Sequence, residues 1–416
     1  MHTDFEHYNT LLVHATANQT GAIGPAVIPS AAFGYESAQE AEGIFAGEVQ
    51  KPLYARVGNP TNAKLEAALA RMEGGFGAIA TSSGMGALAL VMTAILEAGD
   101  EVLCIGGFFG GTYTLVRETF ARFGIQNSFC EVDDFETIEA KLQSGIKMVL
   151  FESVGNPSLT LPDIPRILTL CKRYETLSVI DNTATPLLVR PIELGADIVM
   201  HSTTKNISGF AGPLGGAVVF RAVDPQRDTL LNEKYAPLHK FVKKAGAKAF
   251  MAILKKRALR DMGMTASAMS SYITMLGLET LALRVERINR SVAEVAMRLA
   301  AKLPEEITVN HPALSQSPDH DRYLSDFPQG CGPLLTLECG TKARAFALLD
   351  RLKMVIKTAN IGDNRTLALH MASTIYRDFS EEDRRYLGVT EGLIRVSIGL
   401  ESPDAIVEDF LQAAQG

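Results

Sequence analysis

The segment LSVIDNTATPLLVRPIELGADIVMHSTTK, residues 177–205, contains two short apolar runs that each end in a cluster of polar residues. The first run is followed by Asp181-Asn182-Thr183, and the second by His201-Ser202-Thr203-Thr204-Lys205. In an open parallel sheet, ligands bind beyond the carboxyl ends of the strands. The segment therefore predicts two successive strands that bring a carboxylate, several hydroxyls and a lysine to one edge of a sheet.

Outward from this segment, short apolar runs alternate with amphipathic helical patterns over residues 61–255. That alternation predicts an α/β fold, with a mostly parallel sheet covered by helices on both faces. The predicted strands are 77–82, 101–106, 127–132, 147–152, 177–181, 197–202 and 216–221, and helices are predicted at 61–73, 85–98, 134–143 and 162–174.

The two ends of the chain have different patterns. Residues 1–60 are rich in Gly, Pro and Ala and predict an irregular arm, with the large domain at 61–260. Residues 261–416 predict a smaller α+β domain that begins with a long helical run, bent or broken near Gly277. Its later elements are strands at 332–339 and 393–398 and helices at 341–353 and 402–414.

Composition and charge exclude several classes of function. A net charge of -7 argues against a nucleic-acid or anionic-membrane partner, since both need a concentrated basic surface. The five cysteines are widely spaced and form no C-x-x-C pair, which favours reduced thiols in a cytoplasmic protein over a disulfide framework or a metal site. The N-terminal sequence MHTDFEHYNT lacks the apolar core of a signal peptide.

The uncharged stretch 74–96 has roughly the length of a membrane span. Five glycines and a Thr-Ser-Ser cluster interrupt it, so we expect a buried strand, a turn and a helix instead. The turn, Ser82-Ser83-Gly84-Met85-Gly86, suits an anion, because glycine permits close approach and a helix N-terminus offers free N–H groups.

The same turn also matches a dinucleotide fingerprint, Gly84-x-Gly86-x-x-Ala89. That fingerprint needs an acid at the end of the second strand to bind the ribose. Here Asp100 and Glu101 stand at the beginning of that strand, so a nicotinamide cofactor is not favoured.

The aspartate, the lysine and the anion-binding turn together have the chemistry that pyridoxal 5′-phosphate (PLP) requires. Lys205 would form the imine with the cofactor, and Asp181 would keep the pyridine nitrogen protonated. The glycine turn and the nearby hydroxyls would hold the phosphate.

Ordered motifs extend this pattern over nearly the whole chain: Tyr54-Ala55-Arg56-Val57-Gly58-Asn59-Pro60-Thr61, Ser83-Gly84-Met85, Gly110-Gly111-Thr112, Asn156-Pro157, Asp181-Asn182-Thr183, Ser202-Thr203-Thr204-Lys205 and Ile394-Arg395-Val396-Ser397-Ile398-Gly399-Leu400-Glu401. With these motifs the sequence resembles the Cys/Met-metabolism PLP enzymes, the cystathionine γ-synthase-like family. The resemblance implies PLP fold-type I and a homotetramer built from dimers. It also implies that the arm, 1–60, contributes to the neighbouring subunit's active site.

The resemblance also implies roles for individual residues. Lys205 would hold the cofactor and transfer protons, with Tyr54 as a second catalytic residue. The remaining cofactor-binding positions would be Tyr54 and Arg56 from the neighbouring subunit, Ser83, Gly84 and Met85 at the phosphate, Phe109 stacked on the ring, Asn156 at the ring's 3′-oxygen, Asp181, Thr183, Ser202 and Thr204. Arg395 would bind the substrate α-carboxylate, for which a planar fork is suited, and Asn360 would also bind substrate.

Several segments resemble the O-acetylhomoserine sulfhydrylases of this family: Arg260-Asp261-Met262-Gly263, 276–284, Asn360-Ile361-Gly362-Asp363 and 370–374. The implied reaction is γ-replacement, in which acetate leaves O-acetylhomoserine and sulfide or a thiol adds, giving homocysteine or methionine. The alternative is γ-elimination from methionine or cystathionine. Methionine γ-lyases have a cysteine where Gly111 stands, which weighs against that activity.

One position departs from the family pattern. Phe109 stands where the family usually has a tyrosine that stacks on the cofactor and helps to protonate the leaving group. A phenyl ring keeps the stacking but has no proton to give. Two other classes stay open: a catalytically idle PLP-fold binding protein, and an aminotransferase, which an amino donor would convert to the pyridoxamine form.

Overall fold

A computed structural model describes residues 3–17 and 21–415 of the chain. In the N-terminal segment it has two helices, α1 (Phe5–Ala15) and α2 (Ala38–Ala46). The expected irregular arm is therefore partly helical. Asp4 caps α1 by accepting from the N–H of His7 at 3.0 Å, and Tyr8 and Leu12, one turn apart, are buried in an apolar cluster. The partners of these side chains lie far along the chain, so a local pattern did not indicate the helix.

A seven-stranded sheet forms the core of the large domain, and all seven predicted strands are present. Its strands are β1 (Gly77–Thr81), β2 (Glu101–Ile105), β3 (Gln126–Cys130), β4 (Met148–Glu152), β5 (Leu177–Asp181), β6 (Ile198–His201) and β7 (Gly216–Phe220). Their order is β1-β7-β6-β5-β4-β2-β3. The strands β2 to β6 pair in parallel, whereas β7 is antiparallel to both of its neighbours. The prediction of a mostly parallel sheet is confirmed.

Helices cover both faces of this sheet, as predicted. Along β1, Ala78 and Ala80 belong to the apolar cluster that contains α3, while Ile79 between them belongs to the cluster that contains α4. The helices of this domain are α3 (Pro60–Glu73), α4 (Gly84–Ile95), α5 (Gly110–Thr114), α6 (Phe135–Gln143), α7 (Ile164–Arg173), α8 (Ala236–Ala245), α9 (Ala249–Leu254) and α10 (Arg260–Met262).

The uncharged stretch 74–96 folds as the strand β1, a turn and the helix α4, as expected. Within residues 3–17 and 21–415, none of the helices combines the length and the apolar character that crossing a bilayer requires.

The C-terminal part begins with α11 (Ala268–Leu278) and α12 (Leu281–Lys302), which are separated close to Gly277 as expected. A five-stranded sheet follows, in the order β10-β11-β12-β9-β8, made of β8 (Thr308–Asn310), β9 (Leu334–Glu338), β10 (Ile356–Lys357), β11 (Leu367–His370) and β12 (Leu393–Ser397). The helices α13 (His320–Asp326), α14 (Lys342–Arg351), α15 (Glu381–Tyr386) and α16 (Pro403–Ala414) complete it. The sequence predicted β9, β12, α14 and α16 but not the three short strands.

Candidate active site

A cavity of about 200 Å³ lies where the carboxyl ends of the parallel strands meet the C-terminal sheet. It brings together most of the residues predicted to form a site. The predicted residues that line it are Ser83, Gly84, Met85, Phe109, Asn156, Asp181, Thr183, Ser202, Thr204, Lys205 and Arg395.

Lys205 lies four residues beyond the end of β6 at His201, and its side chain lines this cavity. The Nζ atom donates to Oδ1 of Asn360 at 2.6 Å, which places the predicted substrate-binding asparagine beside the lysine. Burial, together with the positive charge of Arg395, lowers the pKa of Lys205 to about 8. A lysine with such a pKa has a sizeable neutral fraction near pH 7, and the neutral amine is the nucleophile.

Asp181 ends β5, and its carboxyl group lines the same cavity. Oδ1 accepts from the N–H of Thr183 at 2.9 Å. Removal from water raises the pKa of this carboxyl group despite that hydrogen bond. A carboxylate in this position is stabilised when a cationic group is placed against it.

Thr183 connects the ends of the two central strands. Its N–H donates to Asp181, and its hydroxyl oxygen accepts from the N–H of Ser202 at 2.8 Å. A single residue, through its backbone N–H and its hydroxyl group, therefore connects the carboxyl group of Asp181 to the segment that precedes Lys205.

The turn before α4 forms a cradle against Ser202. Ser83 caps the helix by accepting from the N–H of Gly86 at 3.0 Å. A Cβ atom added to Gly84 would stand 2.8 Å from Cβ of Ser202, so this approach requires glycine. Thr204 lies on the other side, where its hydroxyl bonds to the backbone of Gly215. The helix N-terminus and the hydroxyls provide the donors that a phosphate needs.

Arg395 reaches the cavity from β12 and is only 2% exposed. Nη1 donates to Oδ1 of Asn156 at 2.9 Å, and Nη2 donates to the carbonyl oxygen of Asn360 at 3.5 Å. Burial lowers the pKa of the guanidinium group to about 10, so it stays charged at neutral pH. A fixed guanidinium of this kind can bind a carboxylate.

Phe109 forms one wall of the cavity at the beginning of α5. Its N–H donates to Oε1 of Glu152 at 2.7 Å. A Cβ atom added to Gly111 would stand 2.7 Å from Cε1 of the Phe109 ring. Gly111 therefore provides the space that this ring occupies.

The structure does not bring Tyr54 and Arg56 to the cavity of their own chain. The Tyr54 side chain is 45% exposed, and the Arg56 guanidinium lies 5.4 Å from the centre of its ring. Arg56 also donates to the carbonyl oxygen of Arg260.

Sequence reasoning missed one charged cavity residue, Glu152, at the end of β4. The rule that identified Asp181, an acid at the carboxyl end of a parallel strand, applies equally to this glutamate. It also missed apolar lining residues, among them Val154, Met200, Leu214 and Ile361, which have no chemical signature in the sequence.

The residues present fit PLP. The cavity offers an amine of lowered pKa, a carboxylate that needs a cation, a cradle for a phosphate and an aromatic wall. For residues 3–17 and 21–415, no group of three or more His, Cys, Asp or Glu side chains is arranged to hold a metal ion.

Comparisons with known proteins agree with this arrangement. A family model described as Cys/Met metabolism PLP-dependent enzyme matches residues 9–415. An O-acetyl-L-homoserine sulfhydrylase of Corynebacterium glutamicum is 35% identical over 428 residues, covering 97% of this chain and 95% of that protein. An L-methionine gamma-lyase of Pseudomonas putida is 30% identical over 395 residues, covering 94% and 92%.

The fold is also similar to that of solved structures. A putative O-acetylhomoserine (thiol)-lyase of Campylobacter jejuni superposes with a TM-score of 0.91 at 30% identity, covering 98% of this chain and 100% of that one. That structure contains N′-pyridoxyl-lysine-5′-monophosphate.

Proposed function

Because the chain belongs to the Cys/Met metabolism PLP-dependent enzyme family, we propose that it catalyses γ-replacement on O-acetylhomoserine. Acetate leaves Cγ, and sulfide or a thiol forms the new bond, giving homocysteine or methionine. The sulfhydrylase of C. glutamicum and the thiol-lyase of C. jejuni support this choice of substrate.

The contact between Gly111 and Phe109 is the observation that favours replacement over elimination. A methionine γ-lyase would have a cysteine at position 111, and the Cβ atom of any such side chain would meet the Phe109 ring at 2.7 Å. The wall of this cavity therefore lacks both the thiol of a cysteine at position 111 and the phenolic proton of a tyrosine at position 109. Acetate is a stable anion and leaves without a proton, whereas a thiolate needs more help.

Each cavity residue has a proposed part in this reaction. When bound, PLP supplies an electron-accepting ring that stabilises negative charge next to the amino-acid α-carbon. Asp181 holds a proton on the ring nitrogen, and Asn156 binds the neighbouring ring oxygen. Lys205 anchors the cofactor and carries protons on Nζ, and Asn360 orients that amine through its 2.6 Å hydrogen bond.

Binding residues surround this centre. Arg395 and Asn360 hold the amino-acid substrate, with the guanidinium on its α-carboxylate. The turn at Ser83, Gly84 and Met85, together with Ser202 and Thr204, holds the phosphate, while Thr183 keeps the two strand ends in place. The cavity lies between the strand ends of the first sheet and Arg395 on β12 of the second.

The remaining predicted residues, Tyr54 and Arg56, are proposed to act in the active site of the neighbouring subunit, within a homotetramer built from two dimers. Their exposure and their distance from their own cavity support this. Mixing a chain that carries Tyr54→Phe and Arg56→Ala with a Lys205→Ala chain should restore part of the activity. Complete inactivity of proven hybrids would contradict a shared site.

We also propose the division into an arm (1–60), a large PLP domain (61–260) and a C-terminal domain (261–416), in which residues 1, 2, 18–20 and 416 lie outside the described part. The apolar cluster under the second sheet, which is formed by residues between 292 and 413, supports a separate C-terminal domain. A cytoplasmic location is supported by the five cysteines, which are all free thiols.

Product analysis tests the reaction. The purified protein is incubated with O-acetylhomoserine and sulfide, and separately with methionine and with cystathionine. We expect homocysteine and acetate in equal amounts from the first mixture and little turnover in the other two. The Lys205→Ala variant should lose turnover and the yellow absorption of the bound cofactor.

γ-Elimination is the second candidate, because the P. putida relative is a methionine gamma-lyase. It would release the thiol (methanethiol from methionine, cysteine from cystathionine) together with 2-oxobutanoate and ammonia, and would form no homocysteine. If these products dominate, or if methionine is turned over faster than O-acetylhomoserine, γ-elimination replaces γ-replacement as the proposed reaction. A cofactor spectrum that shifts to the pyridoxamine form would instead indicate an aminotransferase.

A further inference from the structure

Glu152 is a charged residue of the cavity to which the proposed reaction gives no part. It is 7% exposed and ends β4, where it is the register partner of Asp181 on β5. Paired residues of neighbouring strands present their side chains on the same face of a sheet. Two carboxyl groups therefore lie side by side in one cavity.

Both oxygens of Glu152 accept hydrogen bonds from backbone groups of the site. Oε1 accepts from the N–H of Phe109 at 2.7 Å, and Oε2 accepts from the N–H of Asn156 at 3.1 Å. One carboxyl group thus joins the segment after β2 to the segment after β4. The first segment carries Phe109, the aromatic wall of the cavity. The second carries Asn156, whose side-chain oxygen accepts a hydrogen bond from Arg395 at 2.9 Å.

Phe109 depends on this contact because its ring has no polar atom to fix it. Phe109 immediately precedes α5 and provides no side-chain cap, and the next N–H, that of Gly110, donates to the Tyr376 hydroxyl at 3.1 Å. Packing against Gly111 limits where the ring can turn, but the backbone position is set by Glu152 and Tyr376.

Burying Glu152 beside Asp181 disfavours the charged form of its carboxyl group, which also points to a functional role. Burial and the charge of Asp181 raise the pKa of Glu152 well above its usual range, against the two N–H donors and Arg395. Groups perturbed in this way concentrate at functional sites.

We propose that Glu152 is a positioning residue for amino-acid binding, which sets the Phe109 ring and the Asn156–Arg395 pair in a fixed relation. It acts through those three residues and does not itself contact the substrate. The inference deepens the proposed function and rests on it for the identity of the amino acid, but the positioning is the same for any amino acid that Arg395 holds.

The test uses the PLP-loaded protein and L-norleucine, which has no γ-leaving group and undergoes neither replacement nor elimination. Its binding is followed by the change in the visible spectrum of the cofactor. Glu152→Gln keeps the size of the side chain but turns an amide N–H toward one backbone N–H, and Glu152→Ala removes both acceptors. Visible circular dichroism reports the surroundings of the cofactor, and the thermal midpoint reports stability.

Glu338→Gln is the matched control. Glu338 also ends a strand, β9, and accepts from the N–H of Gly340 at 2.6 Å and from the Thr390 hydroxyl, but it lies outside the cavity. We expect the Kd for norleucine to rise about 10-fold or more in both Glu152 variants, with altered visible dichroism. The control should match wild type in both measurements.

A Kd within twofold of wild type in both folded variants would overturn the proposal, as would an equal loss in Glu338→Gln. If Glu152→Ala does not fold, Glu152→Asp replaces it, since the shorter side chain reaches one N–H at most and should also weaken norleucine binding. Because norleucine reports binding alone, failure of the γ-replacement proposal would appear in product analysis and would leave this result standing.

Discussion

Replacing Arg395 with alanine is expected to weaken amino-acid binding strongly while leaving the cofactor in place. The guanidinium group makes two hydrogen bonds, to Oδ1 of Asn156 at 2.9 Å and to the carbonyl oxygen of Asn360 at 3.5 Å. Neither contact involves the turn at Ser83 to Met85, which is proposed to hold the phosphate. The substitution therefore removes the substrate anchor and leaves the proposed phosphate contacts in place, while it also frees Oδ1 of Asn156, the residue proposed to bind the ring oxygen.

The magnitude follows from the burial of the group. Arg395 is only 2% exposed. Water therefore compensates little for the contact that the substrate carboxylate loses when Arg395 is removed. Truncating one partner of a buried charged contact costs about 2–5 kcal/mol. That is a loss of about 30-fold to several thousand-fold in affinity.

The assay is a spectral titration of the PLP-loaded protein with L-norleucine, together with the KM for O-acetylhomoserine. Arg365→Ala serves as the control, because this half-exposed arginine is paired with Asp363 and lies outside the cavity. Arg395→Lys should fall between wild type and alanine, since an ammonium keeps the charge but cannot form the planar fork. Cofactor content should be the same in all four proteins.

One side effect must be separated from this loss. The charge of Arg395 also helps to lower the pKa of Lys205, so alanine should raise that pKa. Titrating wild type and Arg395→Ala over the same range of pH separates this contribution from the loss of the substrate anchor. An unchanged KM and Kd in Arg395→Ala would refute the reasoning and would show that another cation binds the carboxylate.

Three further outcomes are expected. Phe109→Tyr should raise the efficiency of γ-elimination from thioethers relative to O-acetylhomoserine turnover, because general acid help is worth about 10²–10⁴-fold; a flat ratio of the two kcat/KM values would mean that the ring only stacks. Gly84→Ala should weaken PLP binding, measured by equilibrium titration of the cofactor-free protein, because its Cβ would stand 2.8 Å from that of Ser202; unchanged affinity would contradict the phosphate assignment. In cofactor-free protein, the rate of PLP uptake should rise with increasing pH, with a midpoint near the Lys205 pKa of about 8, because only the neutral amine attacks. Arg395→Ala should move that midpoint to higher pH. A rate that does not depend on pH would contradict this expectation.

The strand ends of the large domain were predictable from sequence because chemistry and topology coincide there. Asp181 and Lys205 follow short apolar runs directly, and parallel strands carry such residues to one edge. Glu152 obeys the same rule, but the residues after it, Ser153-Val154-Gly155, include no lysine and no cluster of hydroxyls, so it was not predicted. Its importance is visible only from its two backbone partners.

Other parts of the site depend on contacts between distant segments. Arg395 on β12 and Asn360 in the loop between β10 and β11 come close to Lys205 from the C-terminal part of the chain. No local pattern indicates that approach, so their roles came from resemblance alone. Similarly, α1 is stabilised by packing against α3 and α12 and not by a long periodic pattern. The strand β10 has two residues, both exposed, which is too short for any alternation to be seen.

The lysine that binds the cofactor can be identified directly. Borohydride reduction of the PLP-loaded protein, followed by digestion and mass spectrometry, locates the pyridoxyl group on one peptide. Lys234 is an internal comparison, because burial lowers its pKa to about 8 as well, yet it lies outside the cavity and donates to the Thr176 hydroxyl at 3.0 Å. We predict that the pyridoxyl group is found on Lys205, and its presence on Lys234 or any other lysine instead would contradict the proposed site.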